Sequence, residues 1–295
     1  MGSLNRRFAA AIGALLSVTV ACGDHADIAT ITAPTPAPRP APPAEVASVS
    51  IVGIITDTVT GARLGTFTHT VGRLPAHVTV SQAGYVMRQT WASSPTPTVD
   101  LFPEPGFDLR FYRQLTRDGL EAATLWPLRV LSAAPAFYME VEGPKGLSRQ
   151  TAMRLEAVAR RVVPALTGGR FQVTRWETGA MPRPPQAGWI VIERQDEAQA
   201  CGRATAGSEA GQIWLSAEHE HCPTPEAIFG HERGHALGFF HVDRPGAMMN
   251  GAAHDFYARS AADAPTEIER HHGRLAYARS RGNTDIDVDP RPVHP

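Results

Sequence analysis

The spacing of hydrophobic and polar positions changes repeatedly along the chain, and each change marks a different kind of element. After the basic pair Arg6-Arg7, an almost uncharged run rich in Ala, Leu and Val occupies 8–21. It is too short to span a bilayer stably and predicts a signal peptide over 1–21. From 46 to 103 the period becomes two. Val49, Ile51 and Gly53 alternate, as do Val78 and Val80, and Val99 and Leu101, with turn signals at Thr60-Gly61 and Ala83-Gly84. This pattern predicts a small all-β unit. A connector over 104–135 follows, containing a short helix around Leu109 to Leu120. Beyond it the periods mix. Strands are expected at Phe137–Val141, Phe171–Trp176, Trp189–Glu193 and Gln212–Leu215. Between the first two, Ser148 caps a helix whose Leu155, Val158, Val162 and Leu166 recur at helical spacing. Pro164 should kink or end that helix, and Gly168-Gly169 complete the stop. This order predicts an α+β domain over 136–280, with 281–295 as a disordered tail.

Composition adds a tether and a compartment. Residues 33–44 read APTPAPRPAPPA, half of them proline, which predicts an extended, semi-rigid spacer. The apolar run ends in Thr-Val-Ala-Cys and resembles a bacterial lipobox, although Thr19 departs from the usual Leu or Val. The resemblance implies lipidation of Cys22, so that 22–45 forms a tether to a membrane; the alternative is ordinary signal cleavage. Besides Cys22 the chain holds only Cys201 and Cys222. In an oxidising compartment these form an even pair and a disulfide; otherwise they are two buried thiols. Formal net charge is -1. That lacks the basic excess of a nucleic-acid binder, so such a partner is not expected.

The chemistry gathers in one helix. Thr224-Pro225-Glu226 supplies a capping hydroxyl, a proline at the first helical position and an acid near the positive end of the dipole. The segment HERGHALGFFH follows at 231–241. At 100° per residue His231 and His235 lie about 40° apart, one turn above each other, and both can reach one ion. Gly238 can adopt the left-handed conformation that ends a helix, which brings His241 back as a third ligand from the loop. Glu232 lies about 100° round from His231, where its carboxylate can take a proton from water without binding the metal.

HERGHALGFFH resembles the extended zinc signature of the metzincins, HExxHxxGxxH followed by a methionine turn. Pro245-Gly246-Ala247-Met248-Met249 supplies that turn at a spacing similar to the matrixin branch, with Met249 as its methionine. The resemblance implies a zincin fold and a Zn(2+) cofactor held by His231, His235 and His241. It also implies Glu232 as general base and a protein or peptide substrate held extended along an edge strand at Gln212, Ile213, Trp214 and Leu215. The segments 52–65 and 82–91 resemble the small transthyretin-like or carboxypeptidase-regulatory β-sandwich, which implies a spacing or docking module. The alternative function is a surface adhesion lipoprotein whose zinc domain is inactive. Glu218-His219-Glu220-His221 could bind a second metal or form a surface loop. Asp285, Asp287 and Asp289 alternate like calcium ligands, but nothing else in the sequence supports calcium.

Overall fold

The computed structural model describes residues 47–195, 201–216, 222, 224–251 and 264–292. The apolar leader, Cys22, the proline-rich spacer and the run 218–221 lie outside the described residues. Strands β1 (Val49–Asp57), β2 (Arg63–Val71), β3 (Ala76–Val80), β4 (Arg88–Ala92) and β5 (Thr98–Leu101) form the expected all-β region. β1 pairs antiparallel with β2 and parallel with β5, while β3 and β4 pair antiparallel in a second small sheet. Alternation explains the burial. Ile51 and Ile55 of β1 turn inward to meet Val78, Val80, Ala92, Val99 and Leu101 in one apolar cluster.

The second region is built on a five-stranded sheet. Its strands are β6 (Ala136–Glu140), β7 (Trp176–Gly179), β8 (Trp189–Gln195), β9 (Gly202–Ala204) and β10 (Ala210–Ser216), in the order β7-β6-β8-β10-β9. All neighbours run parallel except β9, which is antiparallel to β10. The strand expected at 171–176 starts only at Trp176; Phe171 and Val173 are buried but lie in irregular chain. Four described helices complete the region: α1 (Leu109–Arg117), α2 (Arg149–Leu166), α3 (Pro225–Ala236) and α4 (Glu267–Tyr277). Ser148 caps α2 by accepting from the Thr151 N–H at 3.1 Å. Pro164 does not stop α2. It sits in the last turn, where its missing N–H forfeits one bond, and the helix ends two residues later before Gly168 and Gly169 at φ 62° and 83°. Among the described residues no helix is long and apolar enough to cross a membrane.

The main core joins Phe137, Met139, Ile190, Ile192 and Ile213 of the sheet to Leu155, Val158 and Val162 of α2 and to Ile228, Phe229 and Ala236 of α3. Phe111 and Leu115 of α1, with Leu128 and Val130, belong to the same cluster. The stretch read as a connector is therefore part of this core, and the described residues from 47 onward form one compact unit.

The C-terminal segment is a further correction. Residues 281–292 are folded rather than a free tail, because each of the three aspartates meets an arginine. Asp285 pairs with Arg113 of α1, Asp287 with Arg279, and Asp289 with Arg88 of β4. Arg279, fully buried over the Phe102 ring at 3.8 Å, also reaches Asp100 of β5. Guanidinium groups thus hold carboxylate oxygens of all three aspartates. Val288 bridges to Gln89, so the segment ties the all-β region to the rest.

Candidate metal centre

The sequence folds α3 as its caps require. The Thr224 hydroxyl accepts from the Ala227 N–H at 3.4 Å, and Pro225 stands at the start. His231 and His235 share a face, with ring centroids 4.8 Å apart. At Gly238 the backbone takes φ 96°, and a Cβ there would lie 2.6 Å from the Arg129 carbonyl oxygen, so only glycine fits this reversal. The chain then returns and presents His241.

The three rings meet by their Nε2 atoms. His241 Nε2 lies 3.1 Å from that of His231 and 3.1 Å from that of His235. Each Nδ1 faces an atom that can only accept: the Met248 carbonyl at 2.7 Å, the Phe239 carbonyl at 2.8 Å, and a carboxylate oxygen of Glu121. Every Nδ1 therefore carries a proton, and in neutral rings the Nε2 lone pairs then point at one place. Lone pairs that converge in this way repel one another unless a cation lies between them. Two nitrogens at 2.0–2.1 Å from one tetrahedral ion would stand about 3.3–3.4 Å apart, close to the observed spacing. The residues fit a metal ion, and they form the one His/Cys/Asp/Glu group among the described residues with that geometry.

Burial sets the charge states. It pushes His231 down to about 4, against a smaller opposing contribution from the Met248 carbonyl. It pushes His235 down to about 3, with help from the neighbouring His231 and His241. Both are neutral ligands at neutral pH. Glu232 is 6% exposed, and burial alone raises its carboxyl to about 8. No group donates to its Oε2, which is a buried carboxylate oxygen without a hydrogen-bond partner.

The methionine turn packs against α3. Met249 is fully buried, and its Sδ lies 2.1 Å from where a Cβ on Gly234 would stand, so the sulfur packs directly against α3. The turn is fixed from α4. Glu269, fully buried, accepts from the Met248 N–H at 3.1 Å and the Met249 N–H at 2.7 Å while also closing the capping box of its own helix at Thr266.

The strand expected at a sheet edge is not an edge strand. Gln212, Ile213, Trp214 and Leu215 lie in β10, which is paired on both sides, with β8 and β9. The Gln212 carbonyl already accepts from the Thr205 N–H at 3.0 Å. Among the described residues β9 is the last strand of the sheet on that side. There Gly202 runs so close to α3 that a Cβ would stand 2.9 Å from Glu232 Oε1 and 2.6 Å from Ile228 Cγ2. Cys201, just before β9, and Cys222, just before α3, form a disulfide. Such a bond fits an oxidising, exported environment. Residues 252–263 lie outside the described residues. Glu121, Gly202 and Glu269 were not singled out by sequence; only Glu269 left a signal, as the fourth residue of Thr-x-x-Glu.

No family model and no curated protein matches the chain. Among solved structures, metalloproteinase-II from Bacteroides fragilis is similar over 77% of this chain and 85% of that chain, with 10% identity and a TM-score of 0.31. A likeness of that size carries no argument, and the site stands on its own geometry.

Proposed function

We propose that this chain is a zinc-dependent endopeptidase of metzincin-like architecture, with His231, His235 and His241 as ligands and Glu232 as general base. One observation carries the reading: three imidazole Nε2 atoms converge on one place, and the residue next to His231 is a buried carboxylate with an oxygen that no group donates to. A ligand set of three neutral imidazoles with no thiolate or carboxylate suits catalytic zinc, which keeps a further position for chemistry. When bound, zinc supplies Lewis acidity toward water and toward a carbonyl oxygen. The Glu232 carboxylate takes a proton from the water whose oxygen attacks the peptide carbon, and delivers it to the amine nitrogen as the C–N bond breaks. Its burial suits the task, because a raised pKa makes it both an acceptable base and a competent acid near neutrality. An extended peptide pairs alongside β9 at 202–204, the last strand of the sheet among the described residues, which brings its backbone past Glu232. Met249 and Glu269 hold the base of the site, and the lipid anchor on Cys22 would place it on a membrane facing an oxidising compartment.

The test compares zinc content and cleavage of an unfolded protein substrate for wild type and Glu232→Gln. Zinc retained with kcat/KM reduced about 10²–10⁴-fold is expected, the range for a lost general base. Equal, negligible turnover in both would instead favour a binding lipoprotein with an inactive centre.

A further inference from the structure

The third ligand differs from the other two in what stands behind it. His231 and His235 sit on a helix and give their Nδ1 protons to main-chain carbonyls, whereas His241 sits on a loop and gives its proton to the Glu121 carboxylate. Glu121 lies 120 residues earlier, in the turn after α1. Resting on the metal reading above, we propose that Glu121 is a positioning residue of the metal centre, holding the His241 ring and strengthening its Nε2 as a ligand.

Three features support the assignment. A carboxylate on Nδ1–H fixes both tautomer and ring orientation and raises the basicity of Nε2, more strongly than a carbonyl does. His241 is also the ligand that most needs such support, because its side chain is 28% exposed while the helical pair is buried more deeply. Finally, the segment carrying Glu121 is already fastened to the ligand loop. The Leu115 carbonyl accepts from the Phe240 N–H at 2.7 Å, Gln114 accepts from the Asp243 N–H at 3.3 Å, and Arg110 pairs with Asp243. Trp126 packs on Phe240, with centroids 6.3 Å apart. The α1 segment thus delivers an acid to the metal site from outside the 136–280 region where the sequence confines the chemistry. That acid also offsets part of a divalent charge held by neutral imidazoles.

Full-length wild type, Glu121→Ala, Glu121→Gln and His241→Ala are compared by zinc competition against a chromophoric chelator and by melting of the metal-free proteins. Glu121→Ala should weaken zinc binding about 10–100-fold, the usual cost of losing such a partner. Glu121→Gln, whose amide oxygen still accepts, should fall between it and wild type. Metal-free melting should not move, since the Glu121 side chain is 57% exposed. The proposal is overturned if Glu121→Ala binds zinc within twofold of wild type, or if its metal-free melting falls instead. Both results leave the metal reading intact provided His241→Ala loses zinc. A wild type that binds no zinc overturns the metal reading itself and this inference with it.

Discussion

His272 offers a sharp test of the packing around the site because its ring is locked in one neutral form. It is fully buried in α4, where Nδ1 donates to the Ile268 carbonyl at 2.8 Å and Nε2 accepts from the Asp108 N–H at 3.0 Å. Asp108 is the N-cap of α1, and the ring also lies against Phe107, Phe111 and Tyr112. A proton on Nε2 would bury a charge and expel the Asp108 N–H. Burial accordingly lowers this imidazole from 6.5 to about 4, helped by His271 and opposed by the Ile268 carbonyl and by Asp108. The sign follows from linkage. The unfolded chain takes up the proton near pH 6.5 and the folded chain resists until about 4, so the contribution is complete above that window and is lost as pH falls through it. At about 1.36 kcal/mol per unit the whole window is worth about 3 kcal/mol, of which about 2 kcal/mol falls between about pH 7 and pH 5. Replacing His272 by Gln removes the titration but keeps one donor and one acceptor. Urea unfolding followed by tryptophan fluorescence gives both stabilities, and subtraction cancels the other histidines that titrate nearby. The wild-type advantage should shrink by about 2 kcal/mol from pH 7 to pH 5. A gap constant to within about 0.5 kcal/mol would show that this ring does not resist protonation, and the reasoning would fail.

Two further substitutions test parts of the frame. Gly234→Ala should drive a methyl into Met249 and destabilise the protein by about 1–3 kcal/mol, with zinc content falling alongside the melting temperature; unchanged values for both would mean the sulfur does not press on α3. Arg279→Ala strands the buried Asp287 carboxylate and should cost about 3–5 kcal/mol in urea unfolding. A loss below about 1 kcal/mol would show that the C-terminal ion pairs do not anchor the segment.

What the sequence disclosed and what it hid separate along physical lines. Periodicity, caps and glycines are local, so α3, the reversal at Gly238 and the meeting of His231, His235 and His241 were legible residue by residue. Alternation likewise gave β1, β3 and β5, and two cysteines in an export context gave the disulfide. β9 was not legible, because three residues, Gly202-Arg203-Ala204, show no alternation; without it β10 looked like an edge. Glu121 and the arginine partners of Asp285, Asp287 and Asp289 were hidden for another reason. Their contacts span from 8 residues, at Arg279–Asp287, to 201, at Arg88–Asp289, and no local pattern says which charge will be buried beside which. An acidic, proline-flanked end therefore read as a solvated tail when it is the opposite.

The C-terminal segment at 281–292 also makes distant stretches depend on one another. It grips Arg88 and Gln89, about two hundred positions earlier. Without its aspartates the strand that carries Arg88 would lack the partners that fasten it, so the two stretches must settle together. For the same reason, clipping a few residues from this end should loosen a region made two hundred residues before it.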